Sequence, residues 1–236
     1  MNKTKSILKL AISIALAFTF SCSDDKDDGG GSGLTGTSGT FMDNRDSTSY
    51  KWVKIGKQIW MAENLNYNAT GSKCYRNSEA NCEKYGRLYD WSMAMALPVS
   101  CNNNLCTSQI SAKHKGICPN GWHIPSDADW NILMKFVNPS CTDNSTCAGA
   151  GTKLKATSGW NGSGNGTDDY GFSALPGGGS FNGNFDYIGT NGDWWSTTEP
   201  EYGSGAYLRI MHYNDELALW FVEGKHYLFS VRCVQD

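Results

Sequence analysis

Nine cysteines stand in a chain of 236 residues. That is many for a reducing compartment, and nine is odd. How the set divides constrains the fold more than any other feature. The first cysteine separates from the rest. Lys3, Lys5 and Lys9 form a positive leader, and Leu10 to Phe20 is an apolar run that ends at Ser21, just before Cys22. The run is too short to span a bilayer and has the layout of a secretory signal. A buried N-terminal helix is the competing reading, but the next twenty residues offer nothing to cover it.

Cys22 stands where a bacterial lipoprotein signal places its lipidated cysteine, and Thr19-Phe20-Ser21-Cys22 resembles a loose lipobox. On this reading residues 1–21 are a signal peptide and Cys22 carries the acyl chains. Several chains on one residue anchor far more firmly than a single one. Ser23-Asp24-Asp25-Lys26-Asp27-Asp28 and then Gly29-Gly30-Gly31-Ser32-Gly33 follow, an acidic cluster and a Gly/Ser stretch that make 22–40 a solvated tether. The acidic residues directly after Cys22 resemble the surface-export signal of Bacteroidetes-type lipoproteins. The expectation is an outer-membrane lipoprotein, surface-exposed, with the membrane as partner through its N-terminal lipid.

Without Cys22, eight cysteines remain in an exported chain, which is disulfide arithmetic. Cys74/Cys82, Cys101/Cys106 and Cys141/Cys147 each enclose a short polar segment, so each pair reads as a locally closed loop. Cys118 and Cys233 are left to join mid-chain to the C-terminus. The short loops contribute roughly 2–2.6 kcal/mol each in the chain-entropy model, and the long one about 4.8 kcal/mol. The long bridge would hold the fold and the short ones would stiffen insertions. A structural zinc site is the rival use of the cysteines. No CxxC occurs, and His114, His123, His212 and His226 are scattered, so no metal is expected.

Composition then narrows the class. Charged residues are 18% and aromatic residues 12%, the reverse of a disordered chain. Net charge is -3 with no basic run, so nucleic acid has no electrostatic footprint. From Phe41 onward the sequence reads as one domain, 41–236. Tyr50 to Met61 is a hairpin turning at Gly56-Lys57. Gly86 to Leu97 is a short helix stopped before Pro98, and Pro125 to Val137 is a second, with Ser126 as N-cap and Asp127 and Asp129 in its first turn. Short aromatic strands follow: Phe172 to Leu175, Asp193 to Thr197, Ala206 to Met211, Leu217 to Val222 and Leu228 to Val234, with Asn214-Asp215 as a turn. The expected class is α+β, two short helices with a meander of short antiparallel strands, loop-rich and disulfide-stapled.

Six blocks carry a resemblance. They are Val53 to Gly56 with Gln58 to Tyr67, Gly86 to Trp91, Cys118 to Trp130, Gly171 to Gly178, Trp194 to Glu199, and Ser230 to Asp236. In this order they resemble the Fibrobacter succinogenes major paralogous domain over 41–236. That family resembles the wider C-type lectin-like fold, which includes the formylglycine-generating enzymes. The resemblance implies that fold here, and it supports the Cys118–Cys233 bridge, since the fold ties its helix region to its last strand.

Several functions follow as expectations. The first is a binding or adhesion module for polysaccharide or another glycan, displayed on the cell surface. Aromatic faces stack on sugar C–H faces, and Asn and Asp bind hydroxyls. Trp160, Tyr170, Tyr187, Trp194, Trp195, Tyr202, Tyr207 and Tyr213 supply the aromatics, most of them serving as core. Trp195, Tyr202 and Tyr213, with Asn214 and Asp215, are the ligand candidates. A calcium-dependent lectin is a narrower version, since Glu199-Pro200 and Asn214-Asp215 resemble lectin calcium motifs, although Glu201 and Tyr213 depart from them. An oxidase like the formylglycine-generating proteins needs a second reactive cysteine beside Cys233, and none is present. No nucleophile elbow or phosphate loop occurs, so no enzymatic activity is expected. A structural envelope or biofilm protein without a small ligand is the alternative.

Overall fold

Gly56 takes φ +62° and, with Lys57, turns the chain between β2 (Thr48–Ile55) and β3 (Gln58–Met61). The expected hairpin is thus present, and Trp52 lies opposite Met61 and Val53 opposite Trp60. The structure is a computed structural model and describes residues 36–142, 146–201 and 203–236. The expected signal peptide, Cys22 and most of the expected tether lie outside the described residues. The tether's last residues do not: β1 (Ser38–Asp43) pairs antiparallel with β2 over its whole length, so the folded region begins before Phe41.

β4 (Trp122–His123) and β10 (Val234–Gln235) complete a five-stranded sheet in the order β1-β2-β3-β10-β4. The chain's last strand therefore sits between β3 and β4, both far upstream of it. The Cys118–Cys233 disulfide fixes it there, and Cys74–Cys82, Cys101–Cys106 and Cys141–Cys147 close the three expected local loops.

Helix α3 (Asp127–Val137) has a full capping box: Ser126 Oγ accepts from Asp129 N–H, and the Asp129 carboxylate accepts from Ser126 N–H. Its Trp130, Leu133, Met134 and Val137 bury against Trp60, Phe172 and Trp194. The helix expected over Gly86 to Leu97 shrinks to α2 (Trp91–Ala94). Asp90 caps it, and Ala96 takes φ +52°, which ends it. Leu88 and Tyr89 are instead extended and bridge Lys73 and Phe229. Two helices were not apparent in the sequence, α1 (Glu79–Tyr85) and α4 (Ala150–Leu154). Both are short and lie in or beside disulfide loops, where covalent closure supplies the order that periodicity does not show.

The second half carries a hairpin, β5 (Gly179–Phe181) with β6 (Asn184–Asp186), and a three-stranded antiparallel sheet, β7 (Asn191–Trp195), β8 (Gly205–His212) and β9 (Leu219–Gly224). Leu228 to Val234 is not one strand. Its residues make single bridges to Ser180, Tyr89 and Trp194 before joining β10, threading between the sheets. The class is mixed α and β, mostly short strands with few short helices. Among the described residues no helix is long and apolar enough to cross a membrane.

Candidate functional site

Strand alternation sorts the β7-β8-β9 sheet into two faces. Trp194 and Met211 face the α3 core. Asn191 and Asp193 face the other way, as do Ile210, His212, Leu219, Phe221 and Glu223. These seven residues line an open groove of about 640 Å³. Phe181 and Tyr187, from the β5-β6 hairpin and just after it, form the facing wall, and Phe229 backs it.

Three rings in this groove reach solvent: Tyr187 is 52% exposed, Phe221 54% and Tyr213 38%. Tyr187 takes φ +69°, a backbone region that bulky residues avoid. Its carbonyl holds it there, accepting from Thr190 N–H, Asn191 N–H and the Thr190 hydroxyl. Its ring meets Phe181 edge-on, with centroids 5.4 Å apart. Tyr213 lies at the far end, where its N–H donates to Thr190 O at 2.8 Å. Gly164 lies against its backbone, and a Cβ there would stand 2.2 Å from the Tyr213 carbonyl oxygen.

Asp193 is only 2% exposed, and neither carboxylate oxygen has a hydrogen-bond partner. Burial, with the charge of Glu223 added, pushes its pKa up to about 7. His212 stands across the sheet, its Nδ1 3.1 Å from Asn191 Oδ1. With that oxygen accepting, Nδ1 carries the proton. Burial pushes the ring's pKa down, Asp215 opposes this, and Lys155 adds to it.

The ligand candidates separate. Tyr213 lines the groove. Asn214 is exposed beside it in the turn. Asp215 is tied into the same turn, where its Oδ1 accepts from Leu217 N–H at 2.9 Å and its carbonyl from Lys155 Nζ at 2.7 Å. Tyr202 lies outside the described residues. Trp195 is a correction. It is fully buried, its Nε1 donates to Tyr89 O at 2.8 Å, and its ring packs on Phe229, so it cannot present a face to a ligand. Trp160 and Trp194 are likewise core. The Glu199 carboxylate is also spent on the fold, since it binds the Lys225 ammonium and accepts from Cys106 N–H and the Thr107 hydroxyl. The one cluster of metal-type ligands among the described residues is Cys74, Glu79 and Cys82, and both its cysteines are in a disulfide.

Sequence reasoning missed Asp193, Phe221, Phe181 and Glu223. A signal for Asp193 was present: in Asp193-Trp194-Trp195, alternation puts the acid on the face that Trp195 shares, where a charge needs a reason.

A family model, the Fibrobacter succinogenes major domain, matches residues 53–235. The chain belongs to that family. No curated protein and no solved structure matches it. The Fibrobacter succinogenes major domain blocks quoted above meet in the core. Asn64, Trp194 and Arg232 come from three of them, and both Trp194 Nε1 and the Arg232 guanidinium donate to Asn64 Oδ1. Phe181, Tyr187, Tyr213, Phe221 and Glu223 lie outside all six blocks.

Proposed function

We propose that this chain is a lipid-anchored cell-surface module that binds glycan, and that the groove beside β7-β8-β9 is its binding site. The carrying observation is Tyr187, a solvent-facing ring held at left-handed φ on the lip of an aromatic groove. Strained backbone persists where surrounding structure over-determines it, and such sites cluster at ligand clamps. Tyr187, Tyr213 and Phe221 offer faces for sugar C–H stacking, while Asn191 and Thr190 offer hydroxyl partners.

The reading is of a binding protein and not an enzyme, since the groove's exposed rings offer stacking faces. A C-type lectin-like fold agrees with the paired chain end and the long disulfide that ties β10 to the segment before β4. Export agrees with four disulfides, which persist in oxidising compartments. Lipid attachment at Cys22 and outer-membrane display rest on the sequence pattern. The test of function is a glycan array and an insoluble-polysaccharide pull-down. Retention that Phe221→Ala weakens supports the reading, and an absence of retention on every polysaccharide refutes it.

A further inference from the structure

Asp193 sits at the floor of the groove as a carboxylate with no donor to either oxygen. Burying an ionised carboxylate without a partner is costly. Other buried charges here are paired or hydrogen-bonded: Lys225 with Glu199, Arg209 with Asp127, and Arg232 with Asn64. The groups that face Asp193 do not complete it. Glu223 on β9 is a second carboxylate. His212 on β8 turns its Nδ1 to Asn191. Tyr187 and Tyr213 are the remaining titratable side chains, and no Lys or Arg lines the groove. The cavity is therefore electronegative, ringed by aromatic faces and without its own cation.

We propose that the ligand is a glycan bearing a free, protonated amine, with Asp193 as its counter-charge and the aromatic rings around it. This rests on the glycan reading above. A neutral sugar hydroxyl would satisfy one oxygen but bring no charge. A uronate or sulfate would be repelled by Glu223 and would bring Asp193 no counter-charge. An ammonium group brings three donors and a positive charge, and aromatic faces attract cations. In the unliganded chain Asp193 holds a proton over part of the neutral range. As the ammonium group docks, the carboxyl O–H bond ionises, its proton passes to buffer, and the carboxylate keeps the electron pair.

The test is calorimetry on the full chain at pH 6 with glucosamine oligomers, N-acetylglucosamine oligomers and cello-oligosaccharides of equal length, in buffers of different ionisation enthalpy. The expected result is roughly ten- to a hundredfold tighter binding of glucosamine oligomers, since a hydrogen bond to a charged group is worth about 1.5–3 kcal/mol. Release of nearly one proton should accompany it. Asp193→Asn should erase both the preference for glucosamine oligomers over neutral ones and the proton release. If Asp193→Asn does not fold, the preference and proton release of the native chain decide. Equal binding of all three oligomers without proton release overturns the amine inference and leaves the glycan reading standing. Failure of every oligomer, with butylammonium still bound and displaced by Asp193→Asn, overturns the glycan reading and keeps the ammonium site. Failure of all four probes overturns both.

Discussion

Arg232 donates through Nη2 and Nε to the same atom, Asn64 Oδ1, at 2.7 and 3.0 Å. Trp194 Nε1 donates to that oxygen as well, at 2.8 Å, and the Asn64 amide donates to Tyr85 O at 2.8 Å. One asparagine thus ties the loop after β3 to α1, β7 and the chain's last segment. Burial pushes the Arg232 guanidinium down to about 9, so it is still a cation at neutral pH, held by carbonyl oxygens and over the Phe172 and Trp194 rings. Asn64→Ala should cost about 1–3 kcal/mol, because it takes the acceptor from Trp194 Nε1 and Arg232 Nε, although Arg232 keeps the Phe172 and Ser173 carbonyls. Urea denaturation measures it; a loss below about 1 kcal/mol would show that the network is not what holds these elements.

Lys225 and Glu199 form the second buried pair, with both side chains at 0% exposure. Lys225 Nζ also donates to Cys101 O at 3.0 Å and Asn104 O at 2.9 Å. The pair pins the Cys101–Cys106 loop to the core. Lys225→Met should cost about 3–5 kcal/mol, since Glu199 is left charged and unpaired. Lys225→Met combined with Glu199→Gln should recover part of that, a coupling that a double-mutant cycle reads directly. Additive losses would contradict the pairing.

Asp193 makes stability depend on pH. Its folded pKa of about 7 lies above the ordinary 3.8, so ionising it disfavours the native state. Its contribution is full below about pH 4 and is lost as pH rises to about 7, by up to about 4 kcal/mol. Asp193→Asn removes that slope. The variant-minus-native difference in melting temperature should therefore grow between pH 4 and pH 8, and a difference that stays flat would show an ordinary carboxylate.

Much of this scaffold is legible from residue type alone. The cysteine spacings mark all four bridges, Ser126 and the two aspartates mark the start of α3, and Gly56 marks the first hairpin. The groove is less legible, for a physical reason. Asp193, Phe221 and, just after β8, Tyr213 come together through the β7-β8-β9 sheet itself, but Phe181 and Tyr187 join them only from the β5-β6 hairpin, a placement that no local pattern encodes. Trp195 misleads for the converse reason. A chain with few aliphatic residues fills its interior with tryptophan, so indoles mark the core here and the exposed rings are tyrosine and phenylalanine. α2 is short because Ala96 adopts a left-handed backbone, which helical spacing in Leu88, Trp91 and Met95 does not foretell.

The same contrast gives the sharpest test of function. Retention of the chain on a panel of insoluble polysaccharides is measured beside Phe221→Ala, Tyr213→Ala and Trp195→Ala, with a thermal melt for each. Binding in the groove requires that Phe221→Ala and Tyr213→Ala each lower retention several-fold with little change in melting, because both rings already face water. Trp195→Ala should instead lower stability by about 3–5 kcal/mol, as expected for a core indole. Retention that survives both groove variants unchanged, or no retention on any polysaccharide, would contradict a glycan site between Tyr187, Tyr213 and Phe221.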